Sequence, residues 1–104
     1  MTKPLASRSM LAVKPNGERV TVVVSIGQPY EVTPEEWAVS VSISGLHSRI
    51  GDVHGIDAWQ VVQLAYELIV QLLGYFVEEG GKLYWPETGE SMELDELLPR
   101  SKSK

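Results

Sequence analysis

The chain contains no cysteine, only two histidines and a single phenylalanine in its 104 residues. The lack of cysteine excludes disulfides, thiolate metal sites and cysteine nucleophiles together. Basic side chains are also scarce: 9 Lys and Arg against 14 Asp and Glu give a net charge of −5 at pH 7. Proteins that bind the phosphate backbone of DNA or RNA need clustered basic residues, so the composition argues against nucleic acid as a partner.

Long uninterrupted apolar runs are missing as well. The N-terminal stretch has no apolar core of signal-peptide length, because Pro4, Ser7 and Arg8 interrupt it. The most apolar segment, residues 56–77, carries Gln or Glu in every turn but its last, so we expect no membrane contact. These absences predict a cytoplasmic protein. Its length suits one domain, which at this size buries about 65% of its unfolded surface.

Residues 56–77 are predicted to form one long amphipathic helix. Asp57 is a good N-cap, and Gln60 stands three residues later, where it completes a capping box. Apolar side chains occupy about 240° of the helix surface, more than one packing face requires. A sheet covers one side of a helix, so something else must cover the remainder. The excess comes from a second row of apolar side chains: Trp59, Tyr66, Val70, Leu73 and Val77.

Strand patterns flank this helix. A Lys14-Pro15-Asn16-Gly17 turn predicts a β-hairpin, because Asn-Gly adopts positive φ readily. Residues 37–43 alternate apolar and polar side chains, which is typical of a half-buried strand. Residues 32–36 are predicted to be an acidic, proline-containing loop. The predicted strands are residues 8–13, 19–26, 37–43, 49–54 and 82–85.

The order β-β-β-β-α-β predicts an α+β fold, an antiparallel sheet of four to five strands with one long helix packed on one face. After Pro86 the chain becomes acidic with interleaved leucines, and Ser91 could cap a short C-terminal helical segment that Pro99 ends. The predicted organisation is a flexible N-terminal arm (1–7), a single α+β domain (8–86), the acidic segment (87–99) and a disordered basic tail (100–104).

The histidines are the candidates for chemistry. His54 follows Asp52 by two residues and precedes Asp57 by three, and histidine with carboxylates can bind metal or transfer protons. The spacing matches no recognised site, and His47 would lie on the opposite face of an unbroken strand. Solvent-exposed strand ends are the simpler interpretation. We therefore expect no catalytic residue, metal or cofactor.

The second helix row is the candidate for binding. Exposed aromatic residues are typical interface anchors, and Trp59 heads this row. The leucines of the acidic segment could fold back over the row, or a second molecule could cover it while the segment stays solvated. The predicted interaction surface consists of Trp59, Tyr66, Val70, Val77, Leu94, Leu97 and Leu98.

Two segments resemble a family of small uncharacterised bacterial proteins. Residues 55–65 (GIDAWQVVQLA) are similar to its pattern G-(V/I)-D-x-x-Q-A-L-x-L-A, although Val61-Val62 replaces Ala-Leu. Residues 80–85 (GGKLYW) are similar to its Gly-Gly-x-Leu-x-Trp ending, and residues 20–29 resemble its second strand. The likeness covers residues 8 to 85. It implies a bacterial source and the strand-then-helix layout, and it brings no established activity.

Together these observations favour a non-catalytic protein-binding module, similar to an immunity protein, an antitoxin or an adaptor. Its partner would be another protein chain, either a basic protein attracted by the acidic surface or a second copy of this chain. The alternatives are a structural homodimer of unknown role and a small enzyme or metal-binding protein that uses His54 with Asp52 or Asp57.

Overall fold

Two antiparallel sheets share one helix in this computed structural model, which describes residues 3–47 and 50–94. The elements are β1 (Ala6–Val13), β2 (Arg19–Ile26), β3 (Tyr30–Thr33), β4 (Glu36–Val39), β5 (Val41–Ser44), β6 (Val53–Gly55), α1 (Ala58–Glu78) and β7 (Lys82–Tyr84). The predicted α+β class is confirmed. The strands divide into a four-stranded sheet of order β5-β2-β1-β7 and a three-stranded sheet of order β3-β4-β6, where one sheet was expected.

The N-terminal hairpin follows the prediction closely. The turn between β1 and β2 is held by the Asn16 side chain, whose Oδ1 accepts from the Glu18 N–H at 2.9 Å. Gly17 has a φ of 93°, which glycine adopts without strain. β2 has the predicted bounds, while β1 begins at Ala6, two residues earlier than expected.

The alternation predicted for the strand at 37–43 is confirmed, and the structure divides this strand between the two sheets. Val39, Val41 and Ile43 are buried while Ser40, Ser42 and Ser44 are exposed, as a half-buried strand requires. Its backbone, however, pairs with β3 and β6 before Ser40 and with β2 after it. The Gly27 N–H donates to the Ser40 carbonyl at 2.9 Å at this junction. One extended segment therefore joins the two sheets.

The prediction of an acidic, proline-containing loop at residues 32–36 was wrong. Residues 30–33 form β3, and Pro34 lies in the tight turn to β4, where the Glu35 N–H donates to Thr33 Oγ1 at 3.2 Å. All four residues of β3 are exposed, as suits an edge strand, and a bulge interrupts its pairing with β4. β3 is too short for its apolar side chains to show a periodic pattern in the sequence.

The helix begins and ends with the predicted chemistry. Asp57 is the N-cap, and its Oδ1 accepts from the Gln60 N–H at 2.8 Å. The Gln60 side chain accepts from Ile56 N–H rather than from the N-cap itself. At the other end Gly80, with a φ of 105°, donates to the Val77 carbonyl and Gly81 donates to the Phe76 carbonyl. This pair of hydrogen bonds is a Schellman motif.

The core lies between α1 and the inner faces of both sheets. The helix contributes one buried residue per turn: Val61, Ala65, Ile69 and Leu73. They join a single cluster with buried side chains of the strands, among them Met10, Val22, Val39 and Ile43. Since the cluster contains strands of both sheets, one hydrophobic core supports the whole described structure.

The segments around β6 and after β7 differ from the prediction. β6 spans Val53–Gly55 and so includes Val53 and His54 of the strand expected at 49–54, whereas residues 50–52 are not in a strand and residue 49 lies outside the described residues. Residues 91–93 are not helical: Ser91 forms a bridge with Tyr84, and Leu94, the last described residue, is in a 3₁₀ turn. The remainder of the predicted helical segment, the basic tail at 100–104 and the first two residues of the predicted arm lie outside the described residues.

Candidate interaction surface

The start of α1 presents two large apolar side chains to solvent. Trp59 exposes 80% of its surface and Ile56 exposes 66%. We call these two residues the Trp59 surface. Ile56 directly precedes the N-cap, where an apolar residue often packs against the fourth helical residue, here Val61, yet most of the Ile56 side chain is exposed.

Local backbone geometry fixes this surface. Gly55 packs so closely on the first helical turn that a Cβ there would lie 2.6 Å from Gln60 Oε1 and 3.1 Å from Val61 Cγ1. Only glycine fits this approach without moving its neighbours. The Asp57 cap then sets the direction of the first turn, so the exposed pair is held by the packing of Gly55 and by this cap rather than by a loose loop.

The rest of the predicted second row is divided along the helix. Tyr66 and Val70, in the middle, are half-buried, whereas Val77, near the end, is 40% exposed. At about 100° per residue Trp59 and Val77 point the same way as this middle pair. On this side of α1 the middle of the helix is therefore better covered than its two ends.

Half-buried Tyr66 and Val70 border a groove between α1 and the end of the β1–β2 hairpin. It has a volume of about 220 Å³, and its floor includes Ile69 and Val24. Arg8 forms part of its wall and places its guanidinium carbon 5.1 Å from the centre of the Trp85 ring, a cation–π contact. Burial raises the pKa of Tyr66, and the charge of Arg8 opposes that rise.

The chain after β7 folds back onto the core as far as it is described. The Met92 N–H donates to the Leu83 carbonyl at 2.8 Å, and the Met92 side chain is buried. Leu94 packs against the core cluster, near enough to α1 that a Cβ on Gly74 would lie 3.7 Å from its Cδ1. Leu97 and Leu98, the other two leucines of the predicted surface, lie outside the described residues.

The predicted histidine–aspartate group has three separate sets of contacts. His54 Nδ1 lies 2.7 Å from Glu36 Oε2, Asp52 accepts a hydrogen bond from the Tyr30 hydroxyl, and Asp57 caps the helix. Within residues 3–47 and 50–94, no three His, Asp or Glu side chains are grouped to hold a metal ion. The structure therefore does not bring His54, Asp52 and Asp57 together around one atom.

The two polar pairs lie on the outer face of the three-stranded sheet. Ala38 pairs with Tyr30 on one side and His54 on the other, and these larger neighbours bury it completely. The hydrogen bond to Asp52 is the main cause that raises the pKa of Tyr30. All four polar side chains are exposed or half-exposed, so the pairs form a solvated surface rather than an enclosed site.

His47 lies elsewhere. It forms a bridge with Ile43 at the end of β5 and, with Tyr75 and Glu79, borders a shallow depression beside the last turns of α1. Sequence reasoning did not identify Tyr30 or Glu36 as partners of the histidine–aspartate segment. Their positions depend on the register of β4 against β3 and β6, and no motif in the sequence encodes that register.

The length and composition of α1 would allow it to cross a membrane: 21 residues with a mean hydropathy of 1.3 in its most apolar window. Core helices of soluble proteins satisfy the same criteria. In this fold the buried row from Val61 to Leu73 packs on two sheets.

The fold and surface define a class: a small α+β domain with two antiparallel sheets on one helix and an exposed tryptophan in the first turn of that helix. Comparison with curated proteins and with solved structures found no match to this chain. The chain belongs to the DUF6968 family, a domain of unknown function, which matches residues 6–95. This match covers both sheets, the helix and the start of the acidic segment.

Proposed function

We propose that this protein is a non-catalytic protein-binding module whose partner covers the Trp59 surface. The observation that carries the proposal is the 80% exposure of Trp59 on a rigid, capped helix start, beside the 66% exposure of Ile56. Tryptophan is among the residues most enriched at the energetic centre of protein interfaces. A fixed backbone also reduces the entropy lost on binding.

Burial of Trp59 in a partner would contribute a large share of a binding free energy. A tryptophan side chain that is buried on association removes roughly 200 Å² from water, which is worth about 5 kcal/mol before ordering costs. Little of this is used within the described chain, because most of the ring is uncovered. A partner pocket that accepts Trp59 would therefore recover most of that free energy.

The charge around the surface supports a basic partner. Asp52 and Asp57 lie within seven residues of Trp59 in the sequence, and the chain contains no Lys or Arg between residues 50 and 78. Negative charge near an apolar anchor steers a positively charged partner and opposes pairing of two copies through the same surface. Immunity proteins, antitoxins and adaptors with basic targets are the functional classes we propose, in a bacterial cytoplasm.

Trp59→Ala tests the proposal, with Tyr75→Ala as the matched control. Tyr75 is an aromatic residue of the same helix, half-exposed and about 160° away around the helix axis. The wild-type chain and both variants are immobilised, and the proteins that each retains are identified by mass spectrometry. Each retained protein is then purified and titrated with the wild-type chain and with both variants. We expect Trp59→Ala to weaken the Kd of the true partner by at least about 30-fold. Tyr75→Ala should change it by no more than about twofold, since surface substitutions away from an interface have small effects.

A purified partner that binds Trp59→Ala as tightly as wild type would contradict the proposal. A wild-type chain that retains no protein beyond those retained by Trp59→Ala would contradict it too. Light scattering across a concentration range distinguishes the alternative homodimer: a mass that doubles for wild type and stays monomeric for Trp59→Ala would assign the surface to a second copy.

A further inference from the structure

The outer face of the four-stranded sheet gathers three basic side chains of this acidic protein. Val13 of β1 pairs with Arg19 of β2 on one side and with Lys82 of β7 on the other. Arg19, Val13 and Lys82 therefore form a row across three strands. Leu11 and Tyr84 pair in the next row. Lys14 follows Val13 at the start of the turn. We call these six residues the cationic face.

The cationic face points away from the core. Met10 and Ala12, which alternate with Leu11 and Val13 in β1, are completely buried. Leu83, between Lys82 and Tyr84, is 2% exposed. Because side chains alternate across a strand, the row of Arg19, Val13 and Lys82 faces solvent.

This face is concave rather than flat. It lines an open cavity of about 650 Å³ together with the Pro15–Gly17 turn, Gly80 and Gly89. Gly80 packs on Pro15, where a Cβ would lie 3.6 Å from the proline ring, so the end of α1 and the hairpin turn form one wall. Strand spacing places the backbones of Arg19 and Lys82 about 10 Å apart. The size is that of a small-molecule site.

The charge of this face is not neutralised by its own sheet. The four strands β1, β2, β5 and β7 contain no Asp or Glu. Lys14 Nζ lies 3.5 Å from Glu18 Oε1, but among the described residues neither Arg19 nor Lys82 makes an ion pair. Two unpaired cations that face one cavity create a positive potential that attracts anions.

We propose that the cationic face binds a small ligand that carries two or more phosphate groups. A phosphate chain between Arg19 and Lys82 would receive charge-assisted hydrogen bonds from both, and the guanidinium fork suits paired phosphate oxygens. The Tyr84 ring and the apolar side chains of Leu11 and Val13 offer contact to an attached organic group. The cavity volume of about 650 Å³ and the net charge of −5 favour a small ligand over a nucleic acid.

Isothermal titration of the full chain with inorganic tripolyphosphate tests the proposal. Arg19→Gln and Lys82→Gln should each weaken binding about tenfold, as expected when a hydrogen bond to a charged group is lost. Both side chains are exposed, so we expect these variants to fold. Lys3→Gln, which removes an exposed cation outside the cavity, is the matched control and should bind like wild type.

Glu18→Gln adds an effect of opposite sign. It removes the carboxylate beside Lys14, so binding should strengthen about two- to threefold, within the range of a surface ion pair. A parallel titration with ATP distinguishes two sources of the phosphate chain. Tighter binding of ATP than of tripolyphosphate would assign the Tyr84 side of the face to a nucleoside, and equal binding would assign the site to the phosphate chain alone.

Amide chemical shifts of the wild-type chain give a readout that does not depend on any variant. Tripolyphosphate should shift the amides of Val13, Arg19, Lys82 and Tyr84 most. Absence of binding at millimolar tripolyphosphate would overturn the proposal, as would an equal loss for Lys3→Gln or shifts centred elsewhere. An oligonucleotide that binds more tightly than tripolyphosphate at the same phosphate concentration would also overturn it.

Discussion

The two sheets of this protein differ in the charge of their side chains and in the length of their strands. The four-stranded sheet contains Arg8, Arg19 and Lys82 and no acidic residue, whereas the three-stranded sheet contains Glu31 and Glu36 and no Lys or Arg. The first has two eight-residue strands with several fully buried side chains, and the second has strands of three or four residues. A net charge summed over the chain conceals this division between a cationic sheet and an acidic one.

Because of this difference, the two sheets are stabilised by different contacts. Buried side chains such as Met10 and Val22 hold the four-stranded sheet against the helix. The three-stranded sheet contributes few fully buried residues of its own, and polar pairs on its outer face lie in solvent, where such contacts stabilise little. It therefore depends on α1 and on the shared segment from β4 to β5.

Leu73→Ala should have the largest effect on stability, because it tests whether one core joins the sheets. Leu73 is completely buried, so its truncation should lower the free energy of unfolding by about 2–5 kcal/mol. Urea unfolding followed by circular dichroism and tryptophan fluorescence should give one coincident transition at lower urea. Leu64→Ala, an exposed leucine of the same helix, should cost less than about 1 kcal/mol. Two separate transitions would show that the two sheets unfold independently and do not share one core.

Gly45→Ala should have an intermediate effect confined to the four-stranded sheet. Gly45 has a φ of 98°, and a Cβ there would lie 2.7 Å from the Thr21 carbonyl oxygen of β2. We expect a loss of about 1–3 kcal/mol from strain and close approach together. Gly17→Ala is the control, with a φ of 93° and no atom within 4 Å of its Cβ. Equal losses in thermal unfolding would show that the contact with β2 contributes nothing.

Tyr30→Phe should have the smallest effect, and its effect should depend on pH. The hydrogen bond to Asp52 raises the pKa of Tyr30, so the folded chain holds this phenolic proton more tightly than the unfolded chain does. The resulting stability is present at neutral pH and is lost as the pH rises above about 10, the unperturbed tyrosine value. Urea midpoints between pH 8 and 11 should fall less steeply for Tyr30→Phe than for wild type.

Asp52→Asn separates the hydrogen bond from the aromatic ring. It removes the carboxylate that raises the pKa of Tyr30 and retains the phenol, so ultraviolet titration should return one tyrosine to ordinary ionisation. An unchanged tyrosine titration in Asp52→Asn would contradict the assigned cause.

Local chemistry explains which parts of the fold could be predicted. The Asn16-Gly17 turn, the Asp57 cap and the Gly80-Gly81 ending are fixed by contacts within a few residues, and each formed at the predicted place. The alternation from Trp37 to Ile43 was also visible, because burial on one face depends only on period. The change of pairing at Ser40 was not, since it depends on partners distant in sequence.

The candidate site divides in the same way. A surplus of apolar surface on α1 was visible, but the sheets cover its middle at Tyr66 and Val70 and leave Trp59 bare, which depends on where the sheets end. The cationic face was not predicted at all. Arg19 and Lys82 are 63 positions apart, and only the pairing of β1 with both β2 and β7 brings them to either side of Val13.

Hydroxyl-radical footprinting of the full-length chain at low micromolar concentration tests most directly whether the helix start is bare. Trp59 is 80% exposed, whereas Trp37 is partly buried against the core and the Trp85 ring lies beneath Arg8. We predict that Trp59 is oxidised several times faster than either of the other tryptophans. Oxidation of Trp59 as slow as that of Trp37 would mean that the chain covers its own helix start, and it would contradict the account.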